Sequence, residues 1–196
     1  MKQFDWENFY KHTKDAQPWG YLMKAASLVP TKGKALDLGC GAGRDTRYLL
    51  QEGFEVIAVD ADPHAMAILA TFPQGRLRAV QSRFEDFTFE PEYYDLINAQ
   101  FALPFIPKER FHEVFAHLKA SLRPGGIFAG QFFGLHDQWN TPESPMTFFS
   151  REQAKEELRD LEVLDFREID EDGHTADGSP KHWHVYHIVA RKPANL

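Results

Sequence analysis

Gly39, Gly41 and Gly43 recur at every second position between an apolar run, Lys34–Leu38, and a helical pattern, Arg44–Gln51. Glycine lets a chain turn sharply and lets a ligand reach the backbone with no Cβ in the way. The helix that follows offers free N–H groups and a positive dipole end to an anionic group. Asp60 ends the next apolar run, 21 positions after Gly39, where a carboxylate can accept both hydroxyls of a ribose. Asp62, just ahead of Pro63, is already placed to cap the following helix, which leaves Asp60 for another task. Loop and carboxylate together point to an adenosine-bearing cofactor. A dinucleotide fingerprint needs G-x-G-x-x-G, and Arg44 stands at its third glycine. Nicotinamide-dependent oxidoreduction is therefore the weaker enzyme reading.

Histidines and aromatic residues supply a second set. Four of the nine histidines fall in the last 23 residues: His174, His182, His184 and His187. On a strand His182 and His184 share one face, with Trp183 and Val185 on the other. They are the expected catalytic pair, as general base or as hydrogen-bond partner of an acceptor. His-x-His can also ligate a metal, but no neighbouring cysteine or acidic triad completes a set, so no metal is expected. Residues 134–142 are long, polar and aromatic, and follow a strand. Trp139 in that loop, Trp19 and His174 are expected to line an acceptor pocket.

Short apolar runs and longer helical patterns alternate along the chain and position these residues. Strands are expected at Lys34–Leu38, 55–59, Leu77–Gln81, 94–100 and 127–133, then at 161–169 and 182–191. Helices are expected at Arg44–Gln51, from Pro63 to about Phe72, from Pro107 to near Arg123, and after the capping box Ser150-Arg151-Glu152-Gln153. Alternation implies right-handed crossovers and a mainly parallel sheet covered by helices on both faces. Only a polar, turn-rich stretch, 170–181, separates the last two strands, so they should pair as an antiparallel hairpin. The expected architecture is α/β: a seven-stranded, mostly parallel, Rossmann-like sheet ending in that hairpin. One domain is expected over 1–196, with an aromatic helical cover at 1–33, a cofactor-binding core at 34–133 and a substrate side at 134–196.

Composition limits the partners. The chain has 196 residues, 43% hydrophobic and 26% charged, enough to bury roughly 70% of its unfolded surface. Its net charge of −7 disfavours phosphate backbones, so no nucleic acid is expected. No apolar run reaches the ~20 residues of a membrane span, and the start of the chain is charged where a signal peptide is apolar. The single cysteine, Cys40, has no intrachain partner. A soluble cytoplasmic protein, monomer or homodimer, is the expectation.

Residues 35–44, Ala-Leu-Asp-Leu-Gly-Cys-Gly-Ala-Gly-Arg, resemble the first motif of class I S-adenosylmethionine-dependent methyltransferases. Val56-Ile57-Ala58-Val59-Asp60 is similar to their ribose-binding second motif. Residues 94–100 resemble their fourth strand, and Leu122-Arg123-Pro124-Gly125-Gly126 the loop before their fifth. The resemblance spans about residues 35–133 and implies S-adenosyl-L-methionine as cofactor. It places Gly39, Cys40, Gly41, Gly43 and Arg44 against the methionine part, Asp60 on the ribose and Ala61 beside the adenine. The turn holding Arg83, Phe84 and Glu85 would take the adenine edge, although the family usually has an acidic residue where Arg83 stands. Gln100 and Phe101 would follow the fourth strand at the cofactor. The family's Asn/Asp-Pro-Pro-Tyr motif for amino nitrogens is replaced here by Asn98-Ala99-Gln100-Phe101, which implies a small-molecule methyl acceptor. Phe101, Trp6, Tyr10 and Trp19 would surround the sulfonium. The Gly43-Arg44 pair and the histidine-bearing tail resemble the tellurite-resistance-type subgroup, whose His-Arg pair is His174-Thr175 here. A non-catalytic cofactor-binding regulatory protein is the alternative outside enzymes.

Overall fold

The computed structural model describes residues 5–194. Two helices, α1 (Trp6–Thr13) and α2 (Gly20–Ser27), precede the sheet, where the aromatic cover was expected. The rest alternates as read: β1 (Lys34–Leu38), α3 (Arg44–Gln51), β2 (Glu55–Asp60), α4 (Pro63–Leu69), β3 (Leu77–Gln81), β4 (Tyr94–Ala99), α5 (Lys108–Ser121) and β5 (Leu122–Gly134). After these come β6 (Phe148–Phe149), α6 (Arg151–Glu157), β7 (Glu162–His174) and β8 (Pro180–Arg191). The strands lie in the order β3-β2-β1-β4-β5-β8-β7. β8 runs antiparallel to both its neighbours and the other pairs are parallel. Among the described residues no helix is long and apolar enough to cross a membrane.

Local chemistry sets the element ends. Asp62 accepts the His64 N–H at 2.9 Å and Pro63 opens α4 behind it, the division of labour that frees Asp60. Ser150 and Gln153 close a reciprocal capping box on α6. The core has two layers. Leu36, Ile97, Phe128, Phe132, Tyr186 and Ile188 face α5 and α6. Ala35, Val56, Leu96, Ile127, Ala129 and Val189 face α2, α3 and α4.

Three details differ from the sequence expectation. β5 begins at Leu122, because Leu122 pairs with Tyr94 before the Arg123–Gly126 excursion lets Ile127 pair with Leu96. β6 is a two-residue strand, too short to carry a periodic pattern, that joins β5 past the end of β4. The hairpin reaches to His174 and Pro180, leaving a turn of 175–179 instead of 170–181. Its polar stretch is strand because cross-strand partners hold it: His182 meets Asp172 at 2.7 Å and Asp170 at 2.8 Å.

Candidate functional site

The carboxyl ends of β1, β2 and β4 converge on the glycine loop, the edge where open α/β sheets bind ligands. Gly39, Gly41 and Gly43 all have positive φ, of 76°, 49° and 76°. A Cβ at Gly39 would lie 2.6 Å from that of Ala102, and one at Gly43 would lie 2.7 Å from Phe72 Cζ. Any side chain there strains the backbone and collides with its neighbours. Asp60 ties this loop to β2. One of its carboxylate oxygens accepts the Gly41 N–H at 2.9 Å and the other accepts the Asp62 N–H at 3.0 Å. A carboxylate has about four acceptor positions, so two hydrogen bonds leave room for hydroxyls. Burial pushes the Asp60 pKa up, and its backbone hydrogen bonds work against that. Burial also pushes the Cys40 thiol well above its usual range. The Cys40 N–H joins that of Gly39 on the Val59 carbonyl. Phe84, in the turn after β3, comes against Gly39, and the Ser82 N–H is bound to the Asp60 carbonyl. Arg83 precedes that short turn and Glu85 lies within it. Ala61 contributes its carbonyl to Gln81 Nε2 at 3.2 Å. The buried Tyr10 of α1 packs over the loop, 3.1 Å from where a Gly41 Cβ would stand.

Beneath the loop runs a buried polar network. Asp37 accepts from Thr46 Oγ1 at 2.5 Å and from Asn98 Nδ2 at 2.8 Å, and Arg44 pairs with Asp45 at 3.0 Å. Burial, then the neighbouring Asp45 carboxylate, raise the Asp37 pKa. The Asp45 carboxylate also faces the Trp19 N–H at 3.4 Å, and the Arg44 guanidinium lies 4.9 Å from the Trp19 ring. Trp19 thus links the loop to the segment after β4, since its ring centroid is 4.8 Å from that of Phe101.

Phe101 is the hub of an aromatic cluster at this edge. It is a non-glycine residue at φ 53°, a conformation that persists only where surroundings impose it. Its N–H donates to Gln131 Oε1 at 2.6 Å, which fixes the bend. Trp183, Phe133 and His187 surround its ring at 5.7, 6.1 and 6.2 Å between centroids. Trp139 joins through Trp183 at 5.5 Å. Gln131 Nε2 donates to Gln100 Oε1 and lies 3.3 Å from His187 Nδ1. Tyr21 of α2 stacks on the His187 ring, 4.4 Å away and 6° from parallel. Burial pushes the His187 pKa down to about 4, so the ring is neutral at pH 7.

The structure brings Gly39, Cys40, Gly41, Gly43, Arg44, Asp60, Phe84, Gln100, Phe101 and Trp19 to this one edge, with Trp139 one ring further out. His182 and His184 lie elsewhere. They share the face of β8 that carries Tyr186, on the α5 and α6 side, opposite His187. His184 Nε2 meets Glu168 at 3.0 Å and His182 sits on Asp172 and Asp170. His174, at the exposed end of the hairpin, offers its carbonyl to Trp183 Nε1 at 3.3 Å. His136, Asp170 and His184 place possible ligand atoms within 4.8 Å of one another. The His136 N–H, however, donates to His184 Nδ1 at 3.1 Å. That puts the His184 proton on the nitrogen facing Glu168 and leaves it no lone pair for a cation. Sequence reasoning missed His187 and Gln131. No local pattern marks them, because only the pairing of β5 with β8 sets them opposite each other.

Residues 35–126 match the family described as methyltransferase domain. A probable S-adenosyl-L-methionine-dependent methyltransferase, TehB of Haemophilus influenzae, is 27% identical over 76% of this chain and 52% of its own. The crystal structure of Haemophilus influenzae TehB superposes with a TM-score of 0.78 at 23% identity, over 95% of this chain and 66% of that one. A Burkholderia thailandensis 1,6-didemethyltoxoflavin-N1-methyltransferase, with bound 1,6-didemethyltoxoflavin and S-adenosylhomocysteine, gives 0.68 at 22% identity, over 96% and 86%. The chain spans about half the length of the curated relatives it matches.

Proposed function

We propose that this chain is a class I S-adenosylmethionine-dependent methyltransferase that methylates a small-molecule acceptor, a reading supported by its likeness to the methyltransferase domain over residues 35–126 and to TehB. The observation that carries the reading is the union of a three-glycine loop with Asp60, whose carboxylate reaches across to the loop backbone. S-adenosylmethionine, when bound, supplies a methyl group on a cationic sulfur. The residues present suit it. Asp60 takes ribose hydroxyls, the glycine backbone admits close approach, and Phe84 closes one side of the loop. Asn98 Oδ1 and Gln100 Nε2 are buried polar atoms with no hydrogen-bond partner among the described residues, as expected beside a polar ligand. Trp19 and Phe101 supply aromatic faces for a cation and exclude water. Catalysis rests mainly on alignment of the acceptor at this edge. The acceptor lies beside Phe101 and His187, on the opposite side of the sheet from His182 and His184. The protein works in the cytoplasm, as monomer or homodimer, with no nucleic acid or membrane partner.

Calorimetry tests the reading. S-adenosylhomocysteine should bind and NAD should not. Asp60→Ala should weaken S-adenosylhomocysteine binding by about 1.5–3 kcal/mol, the range for hydrogen bonds to a charged group. Unchanged affinity in the folded variant removes Asp60 from the ribose. Label carried from methyl-labelled cofactor into a low-mass extract, absent without the protein, tests the transfer itself.

A further inference from the structure

The polar groups behind Phe101 have donor directions that one backbone group decides. The Phe101 N–H can only donate, so the side-chain atom 2.6 Å away is the Gln131 oxygen. The Gln131 amide nitrogen therefore faces Gln100, which must answer with its oxygen, and His187 Nδ1 at 3.3 Å. Two consequences follow. Gln100 is left with a buried amide N–H that has no partner among the described residues. His187 receives a hydrogen bond at Nδ1, so its single ring proton sits on Nε2, an atom with no hydrogen bond to the described residues. Gln100 and His187 are 7% and 5% exposed, and the Gln100 amide is a buried donor whose lost hydration nothing offsets until a ligand meets it.

Charge on the same face points to the ligand's sign. Arg167 on β7 is the register partner of His187, which stands opposite Gln131 in turn. Arg167 is exposed and makes no ion pair among the described residues. The acidic group two residues away, Asp165, is already held by Lys24 at 2.6 Å. None of Gln100, Gln131 or His187 is poised to take a proton, since their outward atoms are N–H groups.

We propose that Gln100 and His187 present paired N–H donors to a carboxylate on the methyl acceptor, with Arg167 supplying the complementary charge. The carboxylate class rests on the methyl-transfer reading; the donor pair does not. A carboxylate needs no base. One of its oxygens gives an electron pair to the methyl carbon as the carbon–sulfur pair withdraws to sulfur. The carboxylate and sulfonium charges cancel, an ester and a thioether result, and no proton moves. An alcohol acceptor would have to lose its proton as it is methylated, and none of Gln100, Gln131 and His187 offers an atom to receive it.

Nitrogen-15 NMR of the histidine-labelled full chain tests this, with His187 assigned from its absence in His187→Gln. At pH 7 the proton should lie on Nε2 and Nδ1 should show a bare ring nitrogen. Acetate should move the His187 Nε2 signal saturably, and acetamide, equal in size but neutral, should not. Gln100→Glu keeps the oxygen that Gln131 needs and replaces the donor with an acceptor, so acetate affinity should fall about tenfold or more. A proton on Nδ1, an imidazolium at pH 7, no response to acetate, an equal response to acetamide, or undiminished affinity in the variant would each overturn the proposal. S-adenosylhomocysteine titrated into the same samples is a separate arm. Its failure would retire methyl transfer while leaving the donor pair to stand or fall on acetate.

Discussion

Lys181 and Asp137 form an ion pair with side chains only 2% and 0% exposed, and it fastens the 134–142 loop to the hairpin behind the aromatic wall. The Lys181 ammonium reaches both Asp137 oxygens, at 2.6 and 2.7 Å, and lies 3.7 Å from the centre of the Trp183 ring. Asp137 also accepts the backbone N–H of Trp139 at 3.0 Å and that of His184 at 3.3 Å. Lys181→Met keeps most of the apolar stem and removes the charge. Asp137 then remains as a buried carboxylate with two backbone donors and no cation. Breaking a buried pair in this way costs about 3–5 kcal/mol, because the survivor cannot regain its hydration. At ~2–4 °C per kcal/mol for a chain of this size, the melting temperature should drop by roughly 6–20 °C. Urea unfolding followed by circular dichroism measures the loss as a lower midpoint at unchanged slope. Adding Asp137→Asn removes the orphaned charge while an amide oxygen still accepts the Trp139 N–H, so the double variant should regain at least half of the loss. Added salt should alter the wild-type difference little, since a buried pair is poorly screened. A single variant within about 1 kcal/mol of wild type, or a double variant no better than the single, would refute the reasoning.

Three further outcomes follow from the site. Gly43→Ala should destabilise the fold and weaken S-adenosylhomocysteine binding, since its φ is 76° and Phe72 lies 2.7 Å from the new Cβ; a melt and a titration at wild-type values would contradict this. His187 has a folded pKa of about 4 against 6.5 for the free group, so between those values the unfolded chain binds more protons and stability rises with pH. His187→Gln should flatten that slope by about 2–3 kcal/mol over the window, and an unchanged pH profile of unfolding would show that the ring is not held neutral. Cys40, with its thiol pushed up by burial, should resist alkylation at pH 8 in the native protein and react on unfolding, as intact mass would record.

Much of the glycine-loop edge was legible because its signals are local. Glycines that alternate between a strand and a helix can be seen in the chain, as can a carboxylate at the next strand end and a proline behind a capping aspartate. Backbone conformation and capping depend on near neighbours in sequence. The mainly parallel sheet and the terminal hairpin followed from connection rules, and only the extents shifted. β6 and the outer hairpin escaped because two residues carry no period and because charged strand residues read as turn until Asp172 and His182 are known to pair.

The surroundings of Phe101 are set by contacts between distant parts of the chain. Gln100 and Gln131 are 31 residues apart, Gln131 and His187 56, and Asp137 and Lys181 44. Alternation in the sequence already separates His182 and His184 from His187, since side chains on a strand change face at every residue. Which of the two faces meets Phe101 is decided by register alone. Gln131 pairs with His187 and Phe133 with Val185, and a slip of one residue would have turned the other histidines toward the cofactor edge. Local residue order specifies a glycine loop, a carboxylate and the strands that carry them. The packing of β8 between β5 and β7 determined that the histidine beside Phe101 is His187, because register is set by the whole buried face and not by any one residue on it.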